Sequence, residues 1–174
     1  MSLAEDLLEL AKKSVNYNRS DVLDARLRRA ISTGYYALFH LLLEHGAARI
    51  IRHIGLQQLV SRAYVHNDMQ RAAKSFLSGS GGLPKHITNA FGTAIPPVPA
   101  QIMTVASAFV ELQRARHEAD YNRAISFSRA EARKLVEKAE KAFTEWKAVV
   151  AMPAHTEMCE LFLASLLLDE RWKK

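Results

Sequence analysis

Two groups of side chains have the types and spacing to do chemistry on RNA. Arg62 and His66 stand four apart in RAYVH, and Arg116, His117, Asp120 and Tyr121 crowd together in RHEADY. Metal-independent RNA cleavage needs a base near the ribose 2′-hydroxyl, an acid for the leaving oxygen and a cation for the phosphorane charge. Histidine can fill the first two roles and arginine the third, so Arg62, His66, Arg116 and His117 are the candidate catalytic residues. One continuous helix would put Arg62 and His66 side by side, whereas the neighbours Arg116 and His117 would point about 100° apart. Asp120 or Tyr121, roughly one turn on, would then orient His117. A plainer arrangement uses the same residues structurally: Asp120 pairs with Arg116, and Tyr121 packs against the helix that carries Tyr35 and Tyr36.

A third row, Arg29, Thr33, Tyr36 and His40, runs at steps of four, three and four. Arg29, Tyr36 and His40 join Asp120 and Tyr121 as candidate binding residues. The plainer reading makes the aromatics core and satisfies His40 with a neighbouring carboxylate. His45, His53, His86 and His155 are scattered without ligand spacing, so no metal and no cofactor is expected. There is no Gly-x-Ser-x-Gly and no locally supported Cys-His pair, which argues against a covalent hydrolase.

The elements that must position these residues are helical. About half of the 174 residues are apolar and β-branched alternation is nearly absent, which gives an all-α fold in one domain, residues 1–174. The net charge of +6 is compatible with a polyanionic partner, and equally with an ordinary basic protein. One cysteine, Cys159, excludes an internal disulfide and reads as a small core residue. Met1 to Glu9 carries three acids and no basic stretch, so no signal peptide is expected. No run of about eighteen apolar residues exists, so no membrane partner and a cytoplasmic location are expected.

The central element is expected over Asp21 to His45, with Ser20 as N-cap, Asp21 and Asp24 in the first turn, and Gly46 as the stop. Leu23, Leu27, Ala30, Ile31, Gly34, Leu38, Leu41 and Leu42 form its apolar side. Before it, Leu3 to Val15 reads as a short helix with Leu3, Leu7, Leu10, Ala11 and Ser14 inward. After it, Ala47 to Gly55 is a turn or two of helix or a connector. Leu56 to Leu77 reads as one long helix with Leu59, Val60, Ala63, Ala72, Ala73, Phe76 and Leu77 apolar. Residues 78–100 are a Gly/Pro-rich loop, with a helical turn expected near Ile87 to Phe91. Ala100 to Asn122 is the next long helix. Ser128 and Glu131 then form a capping box for another, whose stripe is Ala132, Leu135, Val136, Ala139, Phe143, Trp146 and Val150. Pro153 ends it, and a last helix reaches Trp172, apolar on more than one side through LFLASLLL.

The segments LRRAISTGYYALFHLLLEHGA and FVELQRARHEADYN, in that order, resemble the two signature regions of HEPN domains. The second carries an Arg-x-x-Ala-Asp-Tyr element at Arg116, Ala119, Asp120 and Tyr121, and RAYVH is similar to an Arg-Ala-x-x-His element of one uncharacterised branch. The resemblance covers about residues 20–150. It implies an up-and-down helical bundle with an extra C-terminal helix, commonly a homodimer, that associates with RNA or a nucleotide. Some HEPN proteins are metal-independent ribonucleases, often toxins, and others sit beside a minimal nucleotidyltransferase in toxin–antitoxin-like pairs. The nuclease branch leaves four to six residues between an arginine and the histidine that follows it, at least one more than the three between Arg62 and His66. Here Arg114 and Arg116 have none at that distance, and Arg62 and His66 are also too close. A non-enzymatic module that binds a partner protein such as a nucleotidyltransferase is therefore the second function class. In the first class, a homodimer would bring two copies of the Arg/His/Asp/Tyr cluster together, and the 78–100 loop is expected to flank or lid that cleft.

Overall fold

A computed structural model of the chain describes residues 2–17, 23–92 and 95–172, with backbone alone for 169–172. Ser20 and Asp21, expected to start the central helix, lie outside the described residues. Among the described residues there are eight α-helices: α1 (Leu3–Asn16), α2 (Leu23–Ile50), α3 (Ile54–Ser61), α4 (His66–Ser75), α5 (Lys85–Phe91), α6 (Ala100–Tyr121), α7 (Arg129–Val150) and α8 (Thr156–Trp172). The fold is all-α, and no strand occurs among the described residues. None of these helices is long and apolar enough to cross a membrane. The chain packs as two units, Met1–Leu41 with Ala108–Phe143, and Leu42–Ser107 with Thr144–Lys174.

In the first unit, α1 starts on a capping box that the sequence reading passed over. The Ser2 hydroxyl accepts from Glu5 N–H at 3.3 Å, and the Glu5 carboxylate accepts from Ser2 N–H at 3.1 Å. The buried face of α1 is Ala4, Leu8, Ala11 and Val15. Of the stripe expected from Leu3, Leu7, Leu10, Ala11 and Ser14, only Ala11 is buried, and Leu3 and Leu10 are about half exposed at 53% and 52%. The reason is the core that α1 meets. Ala11, Ala30, Ala119 and Ala132 pack with Val15, Leu27, Ile31 and Val136, and small residues let helices approach closely.

The end of α1 is fastened by α7. Arg129 donates to the carbonyls of Val15 at 2.9 Å and Tyr17 at 2.8 Å, while Lys12 bridges Glu9 and Glu140. The expected capping box of α7 is present: Ser128 N–H donates to Glu131 at 2.8 Å, and Glu131 N–H to the Ser128 hydroxyl at 3.2 Å. Hydrogen bonds from the Ser128 side chain and backbone hold the Glu131 carboxyl below its ordinary range. The expected stripe of α7 is buried at Ala132, Val136, Ala139, Phe143 and Trp146, with Leu135 and Val150 half-buried.

In the second unit, α2 runs through Gly46 to Ile50, so the expected stop there is corrected. Gly46 serves close packing instead: a Cβ built on it would lie 2.0 Å from the Tyr64 hydroxyl and 2.9 Å from its Cζ. Tyr64 is buried, and burial pushes its hydroxyl up to about 12. Turning Tyr64 inward also explains why the expected helix over Leu56 to Leu77 is two helices. Arg62 closes α3, Val65 is extended, and α4 begins at His66. Ala72, Ala73 and Phe76 are buried as expected, whereas Leu59 is 57% exposed and no residue of α3 is buried.

Gly46→Ala is expected to destabilise by about 1–3 kcal/mol, because displacing a packed ring outweighs the roughly 1 kcal/mol of helix propensity gained. Urea melts of Gly46→Ala alone and with Tyr64→Phe check this. Removing the hydroxyl should recover part of the loss, and equal losses in both backgrounds would contradict the packing described.

The Gly/Pro stretch is more ordered than a loop. It holds a 3-10 turn at Gly79–Gly82 and then α5, with Leu83, Ile87 and Val98 buried. The Ser80 hydroxyl pins it by donating to Pro96 O at 2.9 Å and accepting from Val98 N–H at 3.2 Å. The last helix α8 packs on α4. Phe162 meets Phe76 edge-on at 5.0 Å and Trp146 at 5.9 Å, and Trp146 meets His45 at 5.8 Å. Burial, then Arg49 and Lys147, lower the His45 imidazole from its ordinary value. Cys159 is buried and free, its thiol pushed up chiefly by burial.

Candidate functional site

The last turns of α6 carry Arg116, His117, Asp120 and Tyr121, and the facing residues come from α2. Helical spacing puts Asp120 one turn beyond Arg116, and their ion pair forms at 2.9 Å between Nε and Oδ2. Arg116 also donates from Nη2 to the Tyr36 hydroxyl at 2.7 Å. Its guanidinium carbon sits 5.3 Å from the centre of the Tyr36 ring and 5.7 Å from that of Tyr121. The Ser32 hydroxyl donates to Asp120 at 3.3 Å, a partner that the sequence reading did not single out. Burial alone would lower the Arg116 guanidinium, but Tyr36 and Asp120 outweigh it and the net shift is upward. Arg116 is thus a fixed cation with a carboxylate, a hydroxyl and two aromatic faces around it.

Tyr35 forms the wall behind Tyr36. It is fully buried, with ring centres 5.4 Å from Tyr36 and 5.5 Å from Phe109, and burial raises its hydroxyl strongly. No protein-family model, curated protein or solved structure matches the chain.

His117 lies at the open edge of that network, joined to it through Tyr121, whose ring also faces Arg116. The His117 and Tyr121 rings are 5.1 Å apart at 49°, His117 is exposed, and Tyr121 is 64% exposed. The structural arrangement anticipated for RHEADY is therefore half realised: Asp120 pairs with Arg116, but Tyr121 faces solvent instead of packing on Tyr35 and Tyr36. Arg114 and Arg123, close by in the sequence, are exposed as well.

The other candidates are placed differently. Arg29 is exposed and takes no part in the contacts around Arg116, while His40 is half-buried with its ring edge-on to Phe39 at 5.5 Å. The expected Arg62–His66 pair on one helix face does not exist, since the two residues end one helix and begin the next. Among the described residues, no three His, Cys, Asp or Glu side chains gather to hold a metal ion.

Sequence reasoning also missed Arg28, the neighbour of Arg29. Its guanidinium donates to Asp24 at 2.6 Å, Ala119 O at 2.9 Å, Asn122 O at 3.1 Å and Ile125 O, and lies over Phe127 at 5.6 Å. Arg28 thereby ties the carboxyl end of α6 and the turn after it to α2. Asp24 four residues earlier was the available signal. A cleft of about 520 Å³ adjoins this turn, with Ala115, Ile125, Phe127 and Leu135 as its apolar lining and Glu111 and Lys134 among its charged residues.

Proposed function

We propose that this chain is a HEPN-like module that associates with single-stranded RNA through the exposed end of α6. The observation that carries the reading is the solvent-facing His117–Tyr121 pair beside the fixed Arg116 cation. Flat rings stack on unpaired bases, and neighbouring cations meet the phosphates. Binding is favoured over cleavage. Arg116 is engaged by Asp120 and Tyr36, and Arg62 and His66 belong to two successive helices rather than to one helix face.

The test is fluorescence anisotropy with labelled single-stranded RNA in EDTA, with cleavage read on a gel from the same samples. Tyr121→Ala is expected to weaken binding roughly fivefold to a hundredfold, the worth of one stacked base, and His117→Ala by a smaller factor. Both side chains are exposed, so neither change should lower the melting temperature. Wild-type affinity should fall steeply with salt. Cleavage that is lost in an arginine variant and a histidine variant, among Arg62→Ala, His66→Ala, Arg116→Ala and His117→Ala, would make the chain a metal-independent ribonuclease. Absence of any salt-sensitive binding would sink the RNA reading.

A second reading, a non-enzymatic module for a partner protein such as a minimal nucleotidyltransferase, is favoured by a different surface. On α3, Ile54, Leu56 and Leu59 are exposed at 78%, 42% and 57%, and the stretch 46–66 contains arginines but no acid. Large exposed apolar residues so close together mark interaction surfaces. The last helix, apolar on more than one side, has its own neighbours in α4 and Trp146.

A further inference from the structure

Helix α1 is apolar on two faces, and among the described residues only one of them is buried. Ala4, Leu8, Ala11 and Val15 face the core, while Leu3, Leu10 and Tyr17 are exposed at 53%, 52% and 46%. Leu3 and Leu10 of the helix and Tyr17, the residue that caps its end, recur every seven residues, the spacing of a helix–helix seam. Asp6 and Lys13 lie on the same side, and on a helical projection all five fall within about 80° of arc. Both charged residues are exposed, and neither makes an ion pair among the described residues. They are about 10 Å apart along the axis, too far to pair with each other. The Tyr17 ring is held in place by Arg26, whose guanidinium carbon lies 4.0 Å from the ring centre.

The pattern is symmetric about Leu10. We propose that α1 docks antiparallel on α1 of a second copy of this chain, with the two-fold axis at Leu10. In that register Leu10 meets its own copy and Leu3 meets Tyr17 of the other chain. Asp6 and Lys13 come within one residue of each other twice, which is the reciprocity that a two-fold interface requires. Parallel docking would set Asp6 against Asp6 and Lys13 against Lys13, so the charges choose the direction as well as the partner. One short helix pair buries less than the roughly 1,200 Å² of a standard stable interface, so the association is weak and concentration-dependent.

Sedimentation equilibrium of the full chain over micromolar concentrations tests this. The wild type should show a reversible monomer–dimer equilibrium, and Leu10→Glu should be monomeric. Asp6→Lys and Lys13→Glu should each weaken association at least about tenfold. The double variant D6K/K13E should return to within about threefold of wild type. Each single change also disturbs the charge at one end of α1, and the double variant carries both disturbances. Its recovery therefore cannot come from better folding, and circular dichroism of all four variants checks that the helices remain. A wild type monomeric at every concentration, a dimer indifferent to Leu10→Glu, or a double variant that fails to recover would each overturn the proposal.

Discussion

Truncating Trp146 to alanine is expected to lower stability by about 3–5 kcal/mol, the range for removing a large aromatic from a packed core. Trp146 is fully buried, between the His45 ring at 5.8 Å and the Phe162 ring at 5.9 Å, and Phe162 in turn meets Phe76. The loss is a third or more of the roughly 5–15 kcal/mol that holds a typical domain folded. Its size comes from packing alone, because the indole N–H is buried without a hydrogen-bond partner among the described residues. Trp146→Phe, which keeps an aromatic ring and gives up no hydrogen bond, should therefore cost less than half as much. Urea denaturation followed by circular dichroism measures both. A loss below about 1 kcal/mol for the alanine variant would mean that the Phe76, Phe162 and Trp146 cluster is not the core of its unit.

That cluster was legible in advance only in part. Phe76, Trp146 and Phe162 each sit in an apolar stripe at helical spacing, so their burial could be read from the chain. What joins them could not, because periodicity says which face turns inward and not which helix it meets. Alpha-helical class, the long α6 and the Ser128–Glu131 start of α7 followed from patterns within a few residues. The errors came where two local signals competed. In α1, leucines at 3, 7 and 10 drew the expected face, yet the buried face is Ala4, Leu8, Ala11 and Val15, where small alanines let helices approach closely. At Gly46 the helix-stopping habit of glycine was overridden by the Tyr64 ring, which needs a residue without a Cβ there. The same tyrosine breaks the segment that would have carried Arg62 and His66 on one face. Of the candidate site, the Arg116–Asp120 pair was readable at i, i+4, whereas the contacts with Tyr36 and Ser32 join residues 80 and 88 apart.

Arg28→Ala is expected to be the most damaging change near the candidate RNA-binding surface, costing roughly 2–4 kcal/mol. The carbonyls at the end of α6 have no helical partners of their own. The Arg28 guanidinium supplies partners to Ala119, Asn122 and Ile125 while its Nε holds Asp24, and its side chain is only 18% exposed. A cation at a helix carboxyl end also meets the favourable sign of the helix dipole. Lysine keeps the charge but is a point donor that cannot span three carbonyls, so Arg28→Lys should recover half of the loss or less. Arg29 is the control: it is adjacent and equally charged but exposed, so Arg29→Ala should change stability by no more than about 0.5 kcal/mol. Hydrogen exchange locates the effect, since amides at 119–127 should lose protection in Arg28→Ala and keep it in Arg29→Ala. If His117 and Tyr121 bind RNA because α6 holds them rigidly, affinity should fall with that protection. Equal behaviour of the two arginine variants would mean that the guanidinium fork is not what fastens this end of α6.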